Sequence, residues 1–238
     1  MKTLVQTARQ NFNKKKGVVD LRDSCGIEGP PGKVPYIVGG QEAVEGQFPW
    51  MAALFIDDAW FCGGTLISDS YVLTAAHCAD GATYADILLG AWNVREPDEP
   101  NRVEISSYEL VVHPSWDPST LTNDLALIVL PSPVEFTDYI SPICLPLAGD
   151  TADAGDLMTI VGWGKPSDSA GGISPTMRYV EVPVMSNAAC DHIFGSIGEG
   201  VVCVDTAGGQ GSCNVSIVTI EINKTIKPSS MCPKAFLY

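Results

Sequence analysis

His77 lies in the run LTAAHC, next to Cys78, and Asp124 opens the apolar stretch DLALIVL. An aspartate at the mouth of an apolar strand needs a hydrogen-bond donor, because a buried unpaired carboxylate is costly. An imidazole N–H is a suitable donor. The pair would fix the histidine tautomer and stabilise the imidazolium once the ring has taken a proton. That is the chemistry of a general base and the carboxylate that orients it. Cys62 stands one apolar run earlier, in FCGGTLIS. A short disulfide loop there would pin the histidine at a strand end and fix its ring direction. Taken alone, the histidine also reads as a packed core residue and the aspartate as a cap.

The elements that must carry these residues are short. From Ile37 onward the chain alternates brief apolar runs with turn residues: WMAALFI, FCGGTLI, YVLTAA, DILLGAW, YELVVH, LALIVL and LMTIVGW. With 23 Gly and 17 Pro in 238 residues, this texture predicts an all-β fold of barrels or a sandwich. SNAACDHIFG is the one helical candidate, with Ser186 as its cap and Gly195 as its terminator. Residues 1–36 read as a tail, basic at NKKK and rich in Gly and Pro at GIEGPPGKVP.

Charge and cysteine usage narrow the function. Residues 1–36 hold seven Lys/Arg and three Asp/Glu, and residues 214–238 hold three and one. The body, 37–213, holds four basic and twenty-four acidic side chains. A body that acidic repels phosphate backbones and anionic lipid, so neither nucleic acid nor a membrane surface is an expected partner. The eight cysteines stand at 25, 62, 78, 144, 190, 203, 213 and 232, with no Cys-x-x-Cys pair and only three His in the chain. That pattern gives no zinc framework, and no metal or cofactor is expected. It suits disulfides and an oxidising compartment. The start, MKTLVQTARQNFNKKK, shows no apolar run of signal-peptide type.

Seven motifs occur in order: IVGG at 37–40, FPWMAAL, CGGTLISDSYVLTAAHC, NDLALI, PICLP, VGWG and CVDTAGGQGSC. Together they resemble the chymotrypsin/trypsin family of serine endopeptidases, most closely the digestive chymotrypsin and collagenase types of arthropods. The resemblance covers about Cys25 to Asn214. It implies a chymotrypsin-like double antiparallel β-barrel, secreted as a monomeric zymogen, with protein or peptide substrates, protein protease inhibitors and an activating protease as partners. By resemblance, residues 1–36 are a propeptide and 37–213 the protease domain. The first barrel would span about 37–140 and a partial second barrel about 141–213. His77 matches the general base and Asp124 its orienter. Cleavage between Tyr36 and Ile37 would free the amine that the family inserts beside its nucleophile. The resemblance further implies bridges Cys25–Cys144, Cys62–Cys78 and Cys190–Cys203. Gly211 and Ser212 match the base of the specificity pocket, where a glycine leaves room and no fixed charge, favouring apolar or broad side chains.

The pattern breaks at Asn214. The family continues into Gly-Asp-Ser-Gly-Gly, whereas this chain reads Asn-Val-Ser-Ile at 214–217. Aligned without gaps, Val215 stands for the oxyanion-hole glycine, Ser216 for the aspartate that receives the Ile37 amine, and Ile217 for the nucleophile. Ser216 is one residue out of register, which sends its side chain in another direction. Residues 214–238 therefore form an atypical tail, and the second barrel is expected to be incomplete. The segment SIVTIEINKTIK has strand-forming alternation. It is expected either to pair with the open edge of that barrel or to stand exposed. Val-Ser is also what an intron donor encodes when read in frame, so a splice boundary is expected at the seam. Three readings follow: a secreted serine endopeptidase whose nucleophile this chain lacks, a non-catalytic homologue binding inhibitors or activating proteases as a decoy, or a product that misfolds.

Overall fold

The computed structural model describes residues 25–29, 40–146, 152–165, 171–194 and 201–205, together with the backbone of Thr219–Asn223 and Lys234–Phe236. Among the described residues, twelve strands carry the architecture. They are β1 Gln41–Glu42, β2 Met51–Ile56, β3 Trp60–Leu66, β4 Tyr71–Thr74, β5 Ala85–Leu89, β6 Val103–Ser107, β7 Leu110–Val112, β8 Ala126–Val129, β9 Leu157–Gly162, β10 Arg178–Pro183, β11 Thr219–Asn223 and β12 Lys234–Phe236. Every apolar run read as a strand contains one. No helix among the described residues is long and apolar enough to cross a membrane.

Seven strands form one antiparallel sheet in the order β6-β5-β2-β3-β4-β8-β7. Its two edge strands are consecutive in the chain, separated only by Tyr108 and Glu109. Such a sheet must curl until its edges meet. The Ser107 hydroxyl, at the end of β6, donates to the Val129 carbonyl of β8 at 2.6 Å and ties that seam. Curling gives each strand an inner and an outer face, and period-two alternation sorts the side chains between two cores. Ala52, Leu54 and Ile56 of β2 join Val72, Ile87, Leu89 and Ile128 inside the barrel. Met51 and Ala53 of the same strand face outward, into a second core shared with Val161, Trp163 and Met177. Because both faces are covered, these strands read as continuous apolar runs rather than as alternating ones.

The second sheet has the order β1-β10-β9-β11-β12. The architecture is the two-sheet, all-β arrangement that the resemblance implies, with the first sheet curled and the second open among the described residues. Trp92 joins the two. Its carbonyl accepts the Trp163 indole N–H at 2.9 Å and the Met177 backbone N–H at 2.8 Å. Its own indole N–H donates to the Ala43 carbonyl at 2.6 Å. The tail segment takes the paired alternative: β11 runs antiparallel to β9, with Ile220 opposite Ile160 and Ile222 opposite Met158. The predicted helix forms over Asn187–Phe194, and the Ser186 hydroxyl caps it by accepting the Ala189 N–H at 3.2 Å. Gly195 lies outside the described residues.

Gly64, in the middle of β3, leaves no room for a side chain. A Cβ there would meet Val72 Cγ1 at 2.6 Å and Leu54 Cδ1 at 3.0 Å, and both neighbours are fully buried. Gly64→Ala is expected to destabilise the fold by about 1–3 kcal/mol through overpacking. Gly172→Ala, with nothing within 4 Å, is expected to stay within about 0.5 kcal/mol. Urea unfolding of the two variants measures the difference.

Candidate active site

The register of β4 against β8 creates the site. Tyr71 pairs with Val129, and the ladder runs to Thr74 opposite Ala126. Just beyond that last pair the two strands deliver His77 and Asp124 to the same place, closing 47 residues of sequence. His77 is not at a strand end, as the sequence reading had it. It occupies a single helical turn, Ala76–Ala79, after β4 has stopped at Thr74. The turn forms because Ala75 stays extended while the Asp80 N–H closes on the Ala76 carbonyl at 2.8 Å. Alanines on both sides favour it.

Each flank of the histidine is fixed. Cys78 is bonded to Cys62, with Cα atoms 6.3 Å apart. Three residues before His77, the fully buried Thr74 hydroxyl donates to the Gly63 carbonyl at 2.8 Å. The Trp60 indole N–H donates to the Cys78 carbonyl at 3.2 Å.

Asp124 is aimed by the residue before it. Asn123 adopts a left-handed φ of 58°, a conformation that asparagine tolerates better than most side chains. Its amide donates to the Ser115 carbonyl at 2.8 Å and holds it there.

The carboxylate grips the histidine twice. Asp124 Oδ1 accepts the His77 backbone N–H at 2.8 Å, and Oδ2 lies 2.7 Å from His77 Nδ1. The aspartate side chain is 13% exposed and the histidine side chain 45%. The charge is thus largely out of water while the ring reaches solvent. The hydrogen bond to Asp124 raises the His77 pKa above 6.5; burial works against it and the aspartate charge adds to it. This arrangement can accept a proton at the imidazole and hold the resulting cation in place.

The other histidines differ. His113 is buried, its Nδ1 accepts the Ser115 N–H at 3.1 Å, and desolvation lowers its pKa. His192 is exposed on the helix surface. Cys62, His77 and Cys78 bring ligand atoms within 4.8 Å of one another, but both sulfurs are committed to the disulfide. Cys25 is bonded to Cys144, and Cys190 to Cys203. Tyr36, Ile37, Gly211, Ser212 and the seam residues Asn214, Val215, Ser216 and Ile217 lie outside the described residues. Trp60, which ties down the Cys78 carbonyl, and Asn123, which aims Asp124, escaped the sequence reading. The only sequence signal for either is proximity to a cysteine or to Asp124.

The family model for trypsin matches residues 37–215. The chain belongs to the trypsin family. Brachyurin from Leptuca pugilator is 50% identical over 178 residues, which cover 75% of this chain and 77% of that protein. Serine protease filzig from Drosophila melanogaster is 35% identical over 202 residues, covering 78% of this chain and 12% of the relative. The family is one of serine endopeptidases, and it takes proteins as substrates.

The raised His77 pKa has a definite pH signature. Its interaction with Asp124 adds stability that is fully present below pH 6.5, the unfolded value, and is lost as pH rises through the higher folded value. In Asp124→Asn the His77 titration is expected to move to lower pH and that extra low-pH stability to disappear. NMR titration of the His77 ring in both proteins checks the direction.

Proposed function

We propose that this chain carries the base half of a serine endopeptidase's acyl-transfer site, with His77 as general base and Asp124 as its orienter. We propose further that it does not itself turn over peptide bonds. The observation that carries the first half is the double grip of Asp124 on the His77 ring and backbone at 2.7 and 2.8 Å. In the family's own mechanism the base takes the proton of a serine hydroxyl, and that oxygen attacks the peptide carbonyl. The tetrahedral oxyanion is held by backbone N–H groups, and the base then hands its proton to the leaving amine. Every step, from proton acceptance onward, needs a hydroxyl at the family's nucleophile position. Ile217 stands at that position and offers none, and Val215 and Ser216 replace the oxyanion glycine and the activation aspartate. Loss of the triad serine costs about a million-fold in turnover.

The same reading assigns residues 1–36 as a propeptide cleaved between Tyr36 and Ile37 by an activating protease. The Cys25–Cys144 bond would keep the segment attached afterwards. The three disulfides among the described residues support an extracellular setting. A second reading, a decoy that binds protease inhibitors or activating proteases without cutting, is favoured by the pairing of β11 with β9. That pairing gives the sheet edge a cover and the tail a place in the fold.

A fluorophosphonate probe reacts only with an activated serine. After cleavage before Ile37 the chain is expected to remain unlabelled, with peptide hydrolysis at background. Labelling at Ser216 would overturn the proposal of inactivity. An unlabelled chain that captures a substrate-like protein inhibitor would select the decoy reading.

A further inference from the structure

The first barrel carries a groove of about 490 Å³ that neither His77 nor Asp124 lines. Phe55, Leu88, Val94 and Ile105 give it an apolar floor, and Asp58, Asp86 and Glu104 stand along it. Asp58 is held there by the turn between β2 and β3, where Asp57 and Asp58 both adopt left-handed φ values of 48° and 53°. Backbone strain of this kind persists only when neighbours over-determine it. Here Asp57 does so, accepting the Thr83 N–H at 3.0 Å and the Tyr84 N–H at 2.9 Å. The Tyr84 hydroxyl in turn hydrogen-bonds to Asp58, which pushes the phenol up to about 12. Asp86 accepts the Ser106 hydroxyl at 2.5 Å. Arg102, the one cation lining the groove among the described residues, is already engaged by Glu104 and by the Glu96 carbonyl.

The groove therefore presents apolar surface beside an excess of negative charge. The body of the chain is poorly supplied to neutralise it, since Arg95, Arg102, Lys165 and Arg178 are its only Lys or Arg residues. Residues 1–16 have the opposite character, with five Lys/Arg and no Asp/Glu. Within them, residues 11–16 read Asn-Phe-Asn-Lys-Lys-Lys, an aromatic followed at once by three cations. We infer that this segment docks in the groove, with Phe12 on the apolar floor and Lys14, Lys15 and Lys16 against Asp58, Asp86 and Glu104. From Lys16 to Cys25, nine residues reach up to about 30 Å, about the diameter of a small domain, from a cysteine fixed to Cys144.

Zero-length carbodiimide cross-linking of the full chain at low salt, mapped by mass spectrometry, tests the contact directly. Amide links from Lys14, Lys15 or Lys16 are expected on Asp58, Asp86 or Glu104. They should weaken as salt screens the pairs. Trypsin cleavage after these lysines is expected to quicken about threefold to fivefold in Asp58→Asn/Asp86→Asn, the ratio that two exposed ion pairs support. Both carboxamides still accept the local hydrogen bonds, so the fold is kept. Links scattered over the surface, or cleavage rates indifferent to the two substitutions and to salt, would overturn the inference. So would links found only between isotopically distinct copies, because the segment would then occupy a neighbour's groove.

Discussion

Asp124 brings a charge to the entrance of a buried strand, and the surrounding structure is arranged so that this charge is never unpaired. The stretch that follows, residues 125–130, contains β8 and is almost all buried. Removing the donors would leave a largely desolvated carboxylate, whose cost in low dielectric is several kcal/mol by order of magnitude. Both donors come from one residue, the backbone and ring of His77. The electrostatic requirement at the entrance of β8 and the placement of His77 are therefore one constraint. The β4–β8 register, the Cys62–Cys78 bond and the Thr74–Gly63 hydrogen bond all bear on the single turn that satisfies it.

That constraint is local to the first sheet, so the His77–Asp124 pair is complete on that sheet's own terms. The barrel closes through chain-adjacent edges and fills its interior from its own strands. The second sheet depends on the first for one face of its core and meets it through Trp92, Trp163 and Met177. Its edge beyond β9 pairs with β11, which lies past the last residue that the trypsin model matches, and antiparallel pairing there needs only backbone groups in register. Main-chain hydrogen bonding is indifferent to the residue types that chemistry requires.

Much of this was legible beforehand because it is written in period and spacing. Doubly covered strands such as β2 and β8 announce themselves as apolar runs, and all of the runs named from the sequence contain strands. Strands without that signature were missed. β6, Val-Glu-Ile-Ser-Ser, is mostly exposed at a sheet edge, and β10, Arg178–Pro183, buries only Val182 fully. The His77–Asp124 partnership was readable from residue type and the cost of burying charge. The turn that carries His77 was not, because Thr-Ala-Ala continues a strand as readily as it starts a helix. The groove on the first barrel was hidden for a different reason. Asp58, Asp86 and Glu104 belong to three different elements, and only the sheet order β6-β5-β2-β3 brings them together.

The central claim is that Asp124 orients His77 and that the Ser216 hydroxyl does not act on the ring. The most direct measurement is the His77 ring titration in Ser216→Ala, followed by nitrogen and proton NMR after cleavage before Ile37. A midpoint and ring shifts identical to those of the unsubstituted chain are predicted. A displaced midpoint, or a change confined to the Nε2 resonance, would contradict the account, because it would put the Ser216 hydroxyl on the base.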